Sequence, residues 1–334
     1  MSKATVLFRC DAGPVHGLGH LSRCLVIGDA VALRGGSTRF LVHNALDFEQ
    51  RFARHAWKAA PTETAGLGDL DFVRSEIPVA SNTILVVDSK RADVNYVRAA
   101  RQMIQVAQIG DWDFEMDADL TIDNNVGAEQ KGRGAGYCLI GPLYNSIRPG
   151  FFTAAQRNDR RAILVTFGGD DPHNHTAWVL RNMSDLLAGR SVIIIVGPSH
   201  PDPDAVVAAA SLLPQHEIHR APGDLIPFAE RAEFAISAGG TTCYELAASG
   251  IAIAAIAVED HQERLIAALA DRNALIRIGG ANVTVDEARA TVRRLLADAV
   301  LKSELTRAGR ALFPAPGAPR IAQALLELAS RPQS

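Results

Sequence analysis

The chain has 334 residues, enough for two α/β domains of ordinary size, and its 48% apolar content supports a core in each. A net charge of −3 and only 6% aromatics, with no basic run interleaved among them, argue against a nucleic-acid surface. No apolar run approaches the roughly 18 residues of a membrane span, and MSKATVLFRC has too short an apolar run for a signal peptide.

In chain order, Thr5–Phe8 reads as a first strand, followed by a Gly-rich loop over Asp11–Gly19. His20–Leu33 has helical spacing at Leu21, Leu25, Val26, Ala30 and Leu33. Arg39–Val42 reads as a strand, and Ala45–Trp57 and Asp69–Ile77 as helices. Ile84–Val87 is a strong strand with Asp88 at its carboxyl end; Ala92–Met103 is helical. Ile104–Ile109, Leu120–Ile122 and Tyr137–Ile140 complete a run of strands. Gly141–Asp159 breaks the alternation with proline, glycine and polar residues and reads as a domain linker.

Alternation restarts with the strand Ala162–Phe167 and the helix Thr176–Leu187, then strand Val192–Val196, helix Ala205–Leu213 and strand Glu217–His219. Leu225–Arg231 is helical and leads into Phe234–Glu245, a buried strand running into a Gly-rich turn and a helix. Strand Ile251–Val258, helix Asp260–Asp271, strand Leu275–Ile278, a largely helical Val285–Leu312 and a last helix Ile321–Ser330 close the chain. This alternation predicts two doubly wound parallel sheets, residues 1–148 and 149–334, with the last helix able to pack back on the N-terminal domain. In such sheets ligands bind beyond the carboxyl ends of the strands, so the Gly-rich loops are expected to border one cleft between the domains.

At FAISAGGTTCYE, Gly239 and Gly240 allow a tight turn, and Thr241 and Thr242 sit where a helix begins. Free amides and the positive end of a helix dipole suit a pyrophosphate. Glu245, one turn in, is placed for ribose hydroxyls; the plain alternative is an ordinary strand–turn–helix junction. In RCDAGPVHGLGHLSRC, Gly17 and Gly19 permit close approach. His20 either caps the helix or gives and takes a proton near neutral pH. Asp11 can orient the imidazole or hold substrate, His16 is a weaker candidate, and Arg23 is either a substrate contact or a surface charge.

Asp170, Asp171, His173 and His175 have zinc-ligand chemistry, but the histidines lie two apart in a turn with no third ligand evident. A helix cap at Asn174 and a Gly168–Gly169 turn lining the cleft are favoured. Asp260 and Gln262 either hydrogen-bond a sugar or simply open a helix with acidic residues. Cys10, Cys24, Cys138 and Cys243 form no C-x-x-C pair and read as reduced thiols of a cytoplasmic protein. Neither G-x-S-x-G nor G-x-x-x-x-G-K-[ST] is present.

Taken together, Arg9-x-Asp11, Gly17-x-Gly19-His20 and Arg23-Cys24 resemble the opening signature of the PseG/SpsG family. The likeness continues through Ala118-Asp119-Leu120, Asn124-Asn125, Gly141-Pro142-Leu143-Tyr144 and Arg148-Pro149-x-Phe151. It ends in Phe167-Gly168-Gly169-x-Asp171-Pro172 and Ala238-Gly239-Gly240-Thr241-Thr242-x-x-Glu245. That family includes the UDP-sugar hydrolase of pseudaminic acid biosynthesis and is related to the MurG glycosyltransferases. The resemblance implies a GT-B architecture, two Rossmann-type domains facing across a cleft. By that likeness Gly239, Gly240, Thr241 and Thr242 meet the UDP pyrophosphate, Glu245 meets the ribose, and His20 activates water. It implies inverting hydrolysis of a UDP-amino sugar without metal or cofactor. Gly17, Gly19, Arg23, Asp88, Gly169, Asp171, Asp260 and Gln262 are the expected substrate contacts. The chain departs from the family at Ser89-Lys90-Arg91, where a tyrosine or histidine is usual, at Asp170 in place of serine, and within Glu259–Gln262; these positions would line the sugar. A GT-B glycosyltransferase is the alternative activity, and a non-catalytic nucleotide-sugar binding protein a third reading.

Overall fold

The structure, a computed structural model, describes residues 3–13, 18–62, 65–78, 82–110, 117–128, 137–154, 159–280 and 282–331. They form two compact units, one within Met1–Ile147 and Pro316–Ser334, the other Arg148–Ala315. Arg148 thus opens the second unit, and the closing helix belongs to the first.

Among the described residues of the first unit, the strands are β1 (Thr5–Cys10), β2 (Ser37–Val42), β3 (Ala56–Ala59), β4 (Thr83–Asp88), β5 (Gln105–Ile109), β6 (Leu120–Asp123) and β7 (Tyr137–Ile140). They make one parallel sheet ordered β3-β2-β1-β4-β5-β6-β7. Central strands such as β4, TILVVD, are buried along their whole length, because helices cover both faces. Helix α1 (Gly19–Leu33) and the C-terminal helix Ala318–Ala329 share one face with Phe8 and Phe40, whose rings stack at 4.6 Å. Close packing there requires Gly28, since a Cβ would lie 2.9 Å from the Phe40 ring. The C-terminal helix buries Ile321, Ala322, Leu325 and Leu328, a one-sided helical spacing that matches the apolar strip of α1 and β1. Helices α2 (Leu70–Glu76) and α3 (Val94–Arg101) lie on the other face with Leu7, Leu85 and Val106.

The second unit repeats the plan. Its described strands are β8 (Ala162–Thr166), β9 (Val192–Val196), β10 (His216–Arg220), β11 (Ala232–Ala238), β12 (Ala252–Ile256) and β13 (Ile276–Gly279), ordered β10-β9-β8-β11-β12-β13. The intervening helices are α4 (Pro149–Ala154), α5 (His175–Leu187), α6 (Pro203–Ala210), α7 (Ile226–Ala229), α8 (Thr242–Ala248), α9 (Asp260–Ala270), α10 (Val285–Ala297) and α11 (Ala299–Leu312). In each sheet the strand order reverses beside the first strand of the unit, which creates a crevice at the carboxyl ends of its central pair.

The helix expected over Ala45–Trp57 is instead a 3-10 segment, Ala45–Phe52, followed by strand β3. β3 is an edge strand of sequence AWKA, mostly exposed, so neither face carries the alternation that marks a strand. Pairing with β2 and stacking of Trp57 on Phe52 at 5.8 Å decide its conformation. The helical stretch Val285–Leu312 is broken at Asp298, which ends α10 and caps α11 by accepting the Leu301 amide at 2.8 Å.

Candidate active site

In the first unit the crevice lies between β1 and β4, where Cys10 pairs in register with Asp88. β1 hands over to Asp11, β4 ends on Asp88, and α1 begins at Gly19. His20, the second residue of α1, is 8% exposed, and its Nδ1 lies 2.7 Å from Asp88 Oδ1. Arg23 is three residues further along the helix and therefore on the same face. It donates Nε to Asp88 Oδ2 at 2.5 Å and Nη2 to Oδ1. The Cys24 thiol donates to Oδ2 at 3.4 Å. Burial by itself would raise the Asp88 carboxyl, but Arg23 and His20 outweigh it and hold the group well below the usual carboxylate range. An ionised carboxylate only accepts, so toward Asp88 His20 Nδ1 is the donor; Arg23 Nη2 also lies 3.1 Å from this nitrogen. The constellation is therefore an imidazole held at Nδ1 by a buried carboxylate and its arginine partner.

The two acidic residues thus differ from expectation. Asp88, expected to touch substrate, is fully buried and spends its oxygens on Arg23, His20 and Cys24. Contact with the imidazole, one of the two roles open to Asp11 from its position in the sequence, falls to Asp88. Asp11 is fully buried too; its Oδ2 accepts the Lys90 amide at 3.2 Å and ties the loop after β4 to the end of β1. Its Oδ1 has no partner among the described residues. Arg23 is committed to Asp88 and is neither a solvated charge nor placed primarily for substrate. At Gly19 an added Cβ would meet nothing within 4 Å among the described residues. Gly17 and His16 lie outside the described residues. Behind the site the buried Arg9 pairs with Asp69, Nε to Oδ2 at 2.5 Å, and fixes the carboxyl end of β1.

In the second unit, β8 leads into Gly168, at φ +88°, and Gly169. Gly197 lies against this turn so closely that a Cβ would be 2.2 Å from the Gly169 carbonyl oxygen. Asp171 starts α5: Oδ1 accepts the His175 amide at 2.8 Å, and Oδ2 accepts the Thr176 amide and hydroxyl at 2.8 and 2.7 Å. Asn174 adds a cap to the Ala177 amide at 3.3 Å. Asp171, expected to contact substrate, is thus a buried helix-starting residue. Burial would raise its carboxyl, but these hydrogen bonds prevail and lower it. Gly169 remains exposed beside it. Among the described residues, no group of three or more His, Cys, Asp or Glu side chains is placed to hold a metal ion.

At the end of β11 the Gly239 amide donates to Gln262 Oε1 at 3.1 Å, and the Val258 amide donates to the same oxygen at 3.1 Å. Gln262 thereby staples the ends of β11 and β12. A Cβ on Gly239 would lie 2.7 Å from Ile266. The next three amides, of Gly240, Thr241 and Thr242, have no intramolecular acceptor among the described residues, and the position of a Cβ on Gly240 is open. They stand at the start of α8. Glu245 lies one turn into it, its side chain 20% exposed. Arg148, to which its place in the sequence gives no role, donates Nε to Glu245 Oε1 at 3.2 Å and Nη1 to Asp224 Oδ1 at 2.8 Å. Its guanidinium lies 4.8 Å over the Phe151 ring. Burial pushes the Glu245 carboxyl up more than Arg148 pulls it down. Asp260, exposed, opens α9 at the carboxyl end of β12.

No protein-family model matches the chain. The chain is 26% identical over 195 residues to the spore coat polysaccharide biosynthesis protein SpsG of Bacillus subtilis strain 168, a match covering 56% of this chain. The match spans 58% of the length of that relative. Among solved structures, MurG of Acinetobacter baumannii superposes with a TM-score of 0.68 at 14% identity, covering 98% of this chain and 99% of MurG. A UDP-glucosyltransferase from Polygonum tinctorium, described as glucosylating indoxyl, gives a TM-score of 0.69 at 13% identity, with 99% of each chain covered. At these identities the structural likeness is one of fold, the GT-B arrangement of two parallel-sheet domains. Among the described residues, no helix is long and apolar enough to cross a membrane. The chain is thus similar to SpsG over part of its length and shares the GT-B fold with MurG.

Proposed function

We propose that this chain is a nucleotide-sugar enzyme that hydrolyses a UDP-linked deoxy-amino sugar to UDP and free sugar, with inversion. The observation that carries this reading is His20 at the carboxyl end of the β1–β4 crevice, its Nδ1 2.7 Å from the buried Asp88 carboxylate, an arrangement that in this reading leaves Nε2 to accept. Water attacks the anomeric carbon while the bond from that carbon to the UDP oxygen breaks. His20 Nε2 takes the water proton, and the bonding pair leaves on UDP. The unpaired amides of Gly240, Thr241 and Thr242 meet the diphosphate charge, and Glu245 takes the ribose. In this reading those groups, not a metal ion or cofactor, stabilise the leaving group. The likeness to SpsG supports a place in nonulosonic acid or other surface-glycan biosynthesis.

A GT-B glycosyltransferase, with an acceptor hydroxyl in place of water, is the second reading, favoured by the fold shared with MurG and the UDP-glucosyltransferase. Incubation with UDP- and other nucleotide-amino sugars, followed by NMR of the products, separates the two. Free sugar released without an added acceptor supports hydrolysis; turnover only with an acceptor supports transfer. His20→Asn should bind UDP normally and lose roughly 10²–10⁴-fold in turnover. Weaker UDP binding with unchanged turnover would overturn the role given to His20.

A further inference from the structure

Two buried thiols stand behind the Asp88–His20 contact, and the reaction as written does not use them. Helix α1 carries His20, Arg23 and Cys24 on one face, three and four residues apart. Cys24 donates its thiol to Asp88 Oδ2 at 3.4 Å, the oxygen that also accepts Arg23 Nε, while Oδ1 faces His20. Cys10, the last residue of β1, pairs in register with Asp88, and its thiol is in hydrogen-bond contact with Cys24. An ionised carboxylate only accepts, so the Cys24 hydrogen goes to Asp88 and Cys10 supplies the hydrogen of the second contact. Both cysteines are fully buried in the apolar cluster that holds Phe8, Leu21 and Ile27. Burial above all, then the Cys10 contact and the Asp88 charge, pushes the Cys24 thiol well above its usual range, so it keeps its proton wherever a histidine titrates. The other charged groups beside Asp88 are Arg23 on α1 and Asp11 at the end of β1. Asp11 donates its amide to the Asp88 carbonyl at 3.2 Å and accepts the Lys90 amide at its own carboxylate. Lys90 and Arg91, next along the loop, are exposed.

We propose that Cys24, supported by Cys10, is a positioning residue that sets the basicity of His20 through Asp88. The inference deepens the hydrolytic reading and, for its effect on turnover, rests on it. Each donor on Asp88 draws off part of the carboxylate charge, and the remainder acts on an imidazole 2.7 Å away. Cys24 is fully buried, so solvent does not stand in for its thiol. Without that donor more negative charge faces His20, which favours the imidazolium and makes the ring more basic. A thiol is a weak donor, so it trims the charge and leaves most of it to Arg23 and His20.

The test follows the His20 ring by NMR across pH in the intact chain and in Cys24→Ala and Cys24→Ser, with His20→Asn to assign the resonance. Alanine removes the donor and serine keeps one. The His20 midpoint should rise by about half a pH unit in Cys24→Ala and should not rise in Cys24→Ser. The acidic limb of the turnover profile should move with it. Thermal unfolding is measured beside the titration, because both variants lose packing. Lower melting temperatures with an unmoved His20 midpoint would mean a structural role only and would overturn the proposal. So would an equal rise in the alanine and serine variants, which would tie the effect to the sulfur's volume and not to its hydrogen. Should Cys24→Ala not fold, Cys10→Ala takes its place: Cys24 then loses the hydrogen bond it receives and becomes a poorer donor, so a smaller rise is expected and no rise overturns the proposal. A His20 midpoint that moves while the turnover profile stays fixed would support the positioning role and overturn instead the part given to His20 in hydrolysis.

Discussion

Replacing Asp88 by asparagine tests the constellation at its centre. The substitution keeps the shape but removes the charge that two Arg23 nitrogens, the His20 Nδ1 and the Cys24 thiol converge on. An amide offers one accepting oxygen and two competing donors, so one of the converging groups loses its partner. Removing one member of a buried ion pair costs about 3–5 kcal/mol; because the Arg23 side chain is 12% exposed, the lower end, about 3 kcal/mol, is appropriate. At about 2–4 °C per kcal/mol for a unit of this size, the first unit should melt roughly 6–12 °C earlier. The sign of the pH dependence is also set. The folded Asp88 carboxyl lies below its ordinary value, so its contribution is fully present above about pH 4 and fades as acid protonates it. The stability gap between native chain and variant should therefore be constant from pH 5 to 8 and narrow below pH 4. Turnover should fall about 10²–10⁴-fold, because the imidazole is free to place its proton on either nitrogen. Thermal unfolding followed across pH, with turnover measured in parallel, provides the readouts. A variant that melts and turns over like the native chain would refute the assignment of Asp88 as the residue that orients His20.

Glu245→Gln should weaken UDP binding by roughly tenfold, the worth of hydrogen bonds to a charged group, measured by calorimetry. Because burial holds the folded Glu245 carboxyl above its ordinary value, its contribution to stability is present in acid and lost as pH rises through the folded value. The variant should therefore gain stability relative to the native chain at pH 7 more than at pH 4. Gly239→Ala forces a methyl to within 2.7 Å of Ile266 and 2.9 Å of Gln262; overpacking of this kind costs about 1–3 kcal/mol, readable in urea unfolding. Leu325→Ala removes a fully buried side chain from the C-terminal helix and should cost the first unit about 2–5 kcal/mol in the same assay.

Much of this molecule is written in local pattern. Fully buried strands such as VIIIV at Val192–Val196 cannot be mistaken, because helices on both faces demand an unbroken apolar run. The strand–Gly–Gly–Thr–Thr junction places free amides at a helix start by backbone geometry alone, and Gly239–Thr242 lie there. His20 is legible for the same reason, since its place follows from where strand and helix meet. Only tertiary structure could decide the partners. Asp88 is 68 residues from His20, and nothing in the spacing distinguishes it from Asp11 as the orienting carboxylate. The choice depends on the register between β1 and β4, which sets Asp88 opposite Cys10 and turns Asp11 toward the Lys90 amide. Arg148 and Glu245, 97 residues apart, meet by the same kind of long-range closure. Edge strand β3 was hidden because an exposed strand has no buried face to impose alternation. A sequence records which residues are apolar and where the backbone turns; ion pairs and edge pairings are made between distant segments, and only the packed chain brings their members together.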